Sequence, residues 1–432
     1  MAEIKPIRAW RYSPKLEQNI EALTSSHFDS LTEKHRNELY YNPLNSIHLS
    51  APKDSVIETL NRLEKWKKSG VIVQDRLPAI YVYYQYFSLP NSNKRYCRKG
   101  FICHIRAHDW EEKIVLRHED TIPSLVKERT EILEKLQLHS SPTVGLYSDI
   151  SNSLESAMDD AITNPIFSFH NYQGLGEVLA VIHDAKIICK FIEAIKGKSI
   201  VLADGHHRYQ ASLNLLHEKK TSNSTHKGNE GYNYHLMYLS NIESNELSVL
   251  PTHRIIANLL DFSEIEVLAK LRKYFIISLL GDNEDVYDKI LPTPRSFGLI
   301  MKDKVYKIEL KSEAYNELKS QFPPAVSNLD LTALHYFIIE KTLGIANKFQ
   351  SGSDFISYEK CIKDCKRKVF NHEAQMAVIT REISFRDVKL VCESGHILPQ
   401  KSTYFYPKIT CGFVFTSIDE REFKAPDFSP FN

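Results

Sequence analysis

The sequence predicts an α/β (α+β) protein with mixed sheets flanked by helices, and three observations predict it. Short β-branched and aromatic runs, such as Ile80-Tyr81-Val82-Tyr83-Tyr84, recur along the chain. Segments with apolar residues at three- and four-residue spacing alternate with them. At 432 residues the chain exceeds one ordinary core and suits lobes of ~100–200 residues each. We expect three: an N-terminal α/β lobe (1–150), a central lobe (151–260) and a C-terminal α/β lobe (261–432).

Residues 54–69 are expected to be helical, with Asp54 as N-cap, because Val56, Ile57, Leu60, Leu63 and Trp66 share helical spacing. Residues 79–87 form a strand, closed by a turn at 90–93, and residues 99–105 form its hairpin partner. A helix over 121–138 begins near Pro123, where a missing N–H does little harm. Residues 145–148 are a short strand, and residues 178–195 a strand and a helix. A buried strand at 198–203 precedes a helix at 209–218, and residues 219–232 are a polar loop, a solvated excursion or else a lid. Further on we expect a helix near 264–274, another over 330–343 capped by Asp330, and a last helix. Two strand-like pieces follow, near 387–392 and 409–415.

Composition narrows the functional classes. Apolar residues make up 42% and charged residues 25%, so a sizeable core is expected. Lysine plus arginine number 55 against 54 acidic residues, a net charge of +1, which gives no reason to expect nucleic acid or an anionic membrane as partner. No apolar run is long enough to span a bilayer, Met1-Ala2-Glu3-Ile4-Lys5 lacks the apolar run of a signal peptide, and seven cysteines without a CxxC pair read as reduced thiols. These features predict a cytoplasmic protein and leave a homo-oligomer open.

The chemistry concentrates at Ala203-Asp204-Gly205-His206-His207-Arg208. A buried strand, a glycine turn and a helix start aim backbone N–H groups at one point, where the helix dipole favours an anion. Gly205 permits close ligand approach, and Arg208 can grip a phosphate bidentately. His206 and His207 can move protons near neutral pH, and Asp204 can act as a base or hold Mg²⁺. Zinc is disfavoured, because adjacent histidines project differently and no HExxH occurs. Secondary candidates are His118, Glu119 and Arg129 around a helix start, and His253 and Arg254, which repeat the His-Arg pairing. The run at 399–408 adds Lys401, Ser402, Tyr404 and Lys408 as phosphate or ring contacts. No Walker loop, GxGxxG or GxSxG occurs.

The chain resembles domain-of-unknown-function family 1015 over nearly its whole length. The matching pieces include Ile7-Arg8-Ala9-Trp10-Arg11-Tyr12, Arg98-Lys99-Gly100-Phe101, His118-Glu119, Gly145-Leu146-Tyr147-Ser148-Asp149, Ala203 to Tyr209 and Leu250 to Arg254. The Asp-Gly-His-His-Arg segment is also similar to the signature of the ParB/sulfiredoxin-like group, which includes free-serine kinases. That resemblance implies a ParB/sulfiredoxin-like core in a larger multi-lobed chain, with residues 205–208 cradling phosphate. It disfavours sulfiredoxin activity, since His206-His207 stand where that activity needs a cysteine.

The resulting expectation is a phosphate-handling enzyme on a phosphorylated small molecule. The first reading is a serine-kinase-type phosphotransferase using ATP or ADP with Mg²⁺, acting on serine or phosphoserine. Its catalytic set would be Asp204, His206, His207, Arg208 and Glu119, with Gly205, His118, Arg129, His253, Arg254, Lys401, Ser402, Tyr404 and Lys408 binding substrate. The alternatives are a phosphatase on phosphoserine and a nucleotide- or metabolite-binding regulator without turnover.

Overall fold

Alternating apolar strands and amphipathic helices give a mixed α/β architecture of several sheets flanked by helices. The computed structural model describes residues 1–27, 31–89, 94–244, 248–281, 284–346, 354–399 and 401–423. The turn expected at 90–93 and Gln400 of the 399–408 run lie outside the described residues. Contacts gather the chain into two compact units where the sequence suggested three lobes. The first comprises Met1–Arg117, Thr121–Leu247 and the chain from Pro407 on; the second comprises His118–Asp120 and Ser248–Tyr406. The expected N-terminal and central stretches share one unit because their strands interleave in one sheet.

The first unit is built on nine described strands: β1 (Ile4–Lys5), β2 (Ile80–Ser88), β3 (Arg95–Arg106), β4 (Val115–Leu116), β5 (Thr143–Tyr147), β6 (Phe167–His170), β7 (Gly176–Ile182), β8 (Ile200–Asp204) and β9 (Tyr234–Asn241). Their order is β6-β7-β2-β3-β9-β5-β8-β4, with β1 beside β3. The β9–β5 and β8–β4 pairs are parallel and the others antiparallel. Residues Ile80 to Gln85 are buried without alternation, as a central strand covered on both faces requires. Helices α1 (Val56–Lys68), α2 (Pro123–Leu136), α3 (Ala185–Ile195) and α4 (His206–Ser222) complete the unit's longer helices. Ile188, Phe191 and Ile195 of α3 and Tyr209 and Leu213 of α4 pack into one core with Val82, Phe101 and Leu202.

The second unit carries a six-stranded antiparallel sheet of β10 (His253–Ile256), β11 (Phe275–Leu279), β12 (Ser296–Met301), β13 (Lys304–Leu310), β14 (Ile356–Glu359) and β15 (Met376–Ile379), in the order β11-β13-β12-β15-β10-β14. The segment Leu334–Thr342 winds as a π-helix. Such widened turns recur at functional sites.

Four local expectations need correction. The N-cap of α1 is Ser55, because Ser55 and Glu58 close a reciprocal capping box that Asp54 is one residue too early to make. Asp330 sits inside its helix as an acidic first-turn residue, and Leu329 occupies the cap position. Residues 387–392 belong to the helix Phe385–Glu393, capped by Ser384, with Val388, Val391 and Cys392 on its buried face. Helix α4 begins at His206 and runs to Ser222, so the expected loop at 219–232 starts one turn late and ends in a short 3-10 turn, Gly231–Asn233.

Candidate functional site

Strand β8 ends at Asp204, and Gly205 takes φ 92° before α4 starts at His206. A β-carbon at Gly205 would lie 2.5 Å from Thr143 Cγ2, so the turn needs glycine for both its dihedral and its space. His206-His207-Arg208 therefore form the first helical turn, not a loop. The first N–H groups of a helix lack intrahelical acceptors, and α4 presents them here.

Asp204 is the electrostatic centre. Its side chain is nearly buried and ion-paired with Lys408 Nζ and with Arg208 Nη2, the latter at 2.9 Å. His27 Nε2 lies 3.8 Å away. An antiparallel ladder pairing Thr410 with Ser26 and Cys411 with Ser25 brings Lys408 and His27 to this point. Burial alone would raise the Asp204 pKa, but the charges of Lys408 and Arg208 outweigh it and hold the carboxyl well below the usual range. A carboxylate so stabilised is a poor base, and both its oxygens face cations. Asp204 thus anchors two cations, and its surroundings do not suit Mg²⁺. Among the described residues no group of three or more His, Cys, Asp or Glu could hold a metal ion.

Arg208 spreads its donors widely. Nη1 donates to Ser141 Oγ at 2.8 Å and to the Pro142 carbonyl at 2.6 Å, and Nη2 donates to His27 Nε2 at 2.9 Å. Arg208 lines a cavity of about 40 Å³ together with Arg129, Ser140, Ser141, His139 and His235. Arg129 is held there by Nη1 donating to the Ser50 carbonyl at 2.9 Å. Two arginines and three serines, Ser50 among them, thus line one small space beside the apolar Ile132, Leu133, Leu138 and Ala211. His235 is buried between Ser212 Oγ at 2.7 Å and Thr143 Oγ1 at 3.0 Å. Burial, then His139 and Arg208, hold it neutral well below its ordinary pKa. His139 is pushed down to about 4, mainly by burial.

His206 is buried. His207 Nε2 accepts the Ile122 N–H at 3.0 Å, which ties the start of α4 to the start of α2 and fixes the proton on Nδ1 in the neutral ring. His27, Ser141, His139 and His235 escaped the sequence reading. The Ser140-Ser141-Pro142 turn before β5 was the one signal that pointed there.

The remaining candidates belong to the second unit, and the 399–408 run is divided, with Lys408 in the first. His118 is fully buried, and its Nε2 meets Thr403 Oγ1 at 2.8 Å; Glu119 bridges to Leu398. Ser402 donates to the Pro399 carbonyl at 2.5 Å, Lys401 is exposed, and Tyr404 lies under Lys360 Nζ, 3.5 Å from its ring centre. His253 is buried in β10, where its Nδ1 accepts the Thr380 N–H at 3.3 Å, and burial beside Arg254 pushes it down to about 4. Arg254 is fully buried, donating to the Thr252 carbonyl and to His335 Nε2 on the π-helix. The expected substrate contacts His253 and Arg254 are therefore sealed among partners in their own unit.

A family profile described as protein of unknown function, DUF1015, matches residues 4–332. This chain belongs to the DUF1015 family. Solved structures similar to this DUF1015 member include a free serine kinase in complex with AMP, at 12% identity over 75% of this chain and 93% of that one, TM-score 0.38. A conserved hypothetical protein from Pyrococcus furiosus shares 12% identity over 73% of this chain and 95% of its own, TM-score 0.35. SbnI with a C-terminal truncation, from Staphylococcus aureus, shares 10% over 73% and 87%, TM-score 0.34. Likeness at this level does not transfer a function. No curated protein matches this DUF1015 member. No described helix in it is long and apolar enough to cross a membrane.

Proposed function

We propose that the cavity between Arg129 and Arg208 holds a phosphate group, and that the chain is a phosphotransferase of serine-kinase type on a small metabolite. One observation carries this reading: two arginines and the hydroxyl-bearing Ser140 and Ser141 line the same cavity of about 40 Å³. A water needs roughly 10–15 Å³ of such space, so there is room for a larger ion. Asp204 offsets only one of the two cations it pairs with, Lys408 and Arg208, so with Arg129 the group keeps net positive charge for an incoming anion. Phosphoryl transfer depends on positioning and charge stabilisation more than on covalent chemistry, and paired arginines supply both. The resemblance of the Asp-Gly-His-His-Arg segment to phosphate-cradling loops supports the same assignment.

In this reading ATP or ADP donates its terminal phosphoryl group to the serine hydroxyl. The P–O bond to the departing nucleotide breaks as the bond to the serine oxygen forms; AMP or ADP leaves with the bonding pair, and the serine hydroxyl proton passes to solvent. Arg129 and Arg208 balance the charge in flight, Asp204 holds Arg208 in place, and His207 braces the helix start.

The test is to incubate purified protein with Mg²⁺, serine and ATP or ADP, and to assay phosphoserine. Product is expected, and Arg129→Ala should lower the rate at least about 100-fold, on the order of the loss when one charge-stabilising donor is removed. Absence of phosphoserine with either nucleotide, in both directions, would sink the kinase reading. Phosphate released from phosphoserine without nucleotide would make the chain a phosphatase instead.

A further inference from the structure

A second cavity in the first unit has a different chemistry. It measures about 320 Å³, within the size range of small-molecule sites. Ser25, Ser26 and Thr410 of the short ladder contribute hydroxyls to its wall, and Asn171 a carboxamide. Tyr172 stacks on His35 at one side, ring centres 3.7 Å apart. Among the described residues its lining holds no lysine or arginine; Glu21 is its one carboxylate, and Ala22 and Leu39 are its aliphatic residues. Such a wall suits neither an anion nor a lipid.

Two of these groups are oriented from behind by a buried carboxyl. Glu177 is fully buried in β7 and accepts hydrogen bonds from Asn171 Nδ2 and Thr410 Oγ1, both at 2.8 Å, from Gln85 Nε2 at 3.3 Å and from the Tyr83 hydroxyl. Asn171 Oδ1 is fixed in turn by the Gln173 and Leu175 N–H groups, at 2.9 and 3.1 Å. With one amide hydrogen committed to Glu177, Asn171 keeps a second N–H to donate. Thr410 has spent its proton on Glu177, so its oxygen can only accept. A preset donor beside a preset acceptor matches a hydroxyl group, which is both at once.

We infer that this cavity is a binding site for an uncharged polyol of monosaccharide size, its hydroxyls read by Asn171 and Thr410 and its ring face lying on Tyr172. The inference does not depend on the phosphate reading of the Arg129–Arg208 cavity.

The test is saturation-transfer NMR and calorimetry on the full chain with D-glucose, D-ribose and myo-inositol as probes, and with D-gluconate as a charged control. At least one neutral probe should bind in the millimolar range, and gluconate should bind at least tenfold more weakly than its neutral counterpart, glucose. Asn171→Leu should weaken the neutral probe at least tenfold, the scale of one lost hydrogen bond plus an unmet partner. Tyr172→Ala, at a partly exposed position that a folded protein tolerates, should do the same if Asn171→Leu fails to fold. Arg129→Ala should leave polyol binding unchanged, which separates this site from the phosphate site. Failure of all three neutral probes to bind, gluconate binding as tightly as glucose, or undiminished binding by the folded variants would overturn the inference.

Discussion

Two of the chain's three His-Arg pairs, His207-Arg208 and His253-Arg254, are treated in opposite ways. His207-Arg208 opens a helix after a glycine turn, and its guanidinium shares a buried carboxylate, two carbonyl or hydroxyl acceptors and the rim of a cavity. His253-Arg254 lies inside a strand, where alternation sends the two side chains to opposite faces of a covered sheet. Arg254 has no carboxylate among its described hydrogen-bond partners, its Nε has no partner among the described residues, and burial pushes its pKa down to about 10. The same dipeptide thus yields a charged, partly open rim in one place and a sealed, destabilised cation in the other. Backbone context, more than residue type, decides whether an arginine is offered to a ligand.

The two pairs should differ most in what they contribute to stability. Asp204→Ala leaves Lys408 and Arg208 buried without their shared anion and should cost about 3–5 kcal/mol, the usual penalty for removing one member of a buried pair. Arg254→Met removes a cation with no carboxylate bonded to it and should change stability by no more than about 1 kcal/mol. Urea unfolding of both variants checks this. Equal costs would mean that Arg254 is as tightly integrated as Asp204, and the contrast would fall.

Acid sharpens it next. His104, His139 and His235 are buried in the first unit with pKa values depressed mainly by burial; His139 sits near 4. The folded state holds these rings neutral, so their contribution is complete above the ordinary histidine pKa of about 6.5. It is lost as pH falls from there toward 4, by about 3 kcal/mol for His139 alone. Glu177 acts oppositely: burial raises it to about 7, so its penalty is relieved as pH falls from 7 toward 4.5. In the second unit, His253, near 4, is the corresponding histidine. With His48, also buried and lowered mainly by burial, four imidazoles stand against one, offset by one carboxyl, and predict that the first unit weakens earlier on acidification. Trp10, Trp66 and Trp110 all lie in that unit. Tryptophan fluorescence should therefore change at higher pH than the circular dichroism signal of the whole chain. Coincident transitions would show that the buried imidazoles do not set the acid response.

The same contrast explains what could be read in advance. The strand Ile80–Ser88, the helix Pro123–Leu136 and the strand–turn–helix at Asp204-Gly205 were legible because local pattern and tertiary position agree there. Residues 387–392 misled because Val388 and Val391 favour strands, yet they stand three apart on a helix that Ser384 caps. Arg208, Lys408 and Asp204 were each recognisable as candidates, but not that Asp204 pairs with both of the others. Asp204 and Lys408 are 204 residues apart and meet through a two-residue ladder that leaves no periodic trace. His253 and Arg254 drew attention by composition alone, and only the sheet order shows that they are enclosed.

The smallest effect concerns the turn that makes the first pair differ from the second. Gly205 holds φ 92° with Thr143 Cγ2 only 2.5 Å from where a β-carbon would stand. Gly205→Ala should cost about 2–3 kcal/mol, combining left-handed backbone strain of about 1–2 kcal/mol with steric displacement. Gly174, at φ 76° with nothing within 4 Å, meets the strain alone, so Gly174→Ala should cost about 1 kcal/mol. The excess at Gly205 measures how tightly Thr143 presses on the turn that swings Arg208 onto Asp204. If the two alanine variants prove equally stable, the close approach is dispensable, and Arg208 reaches its cavity through the helix start alone.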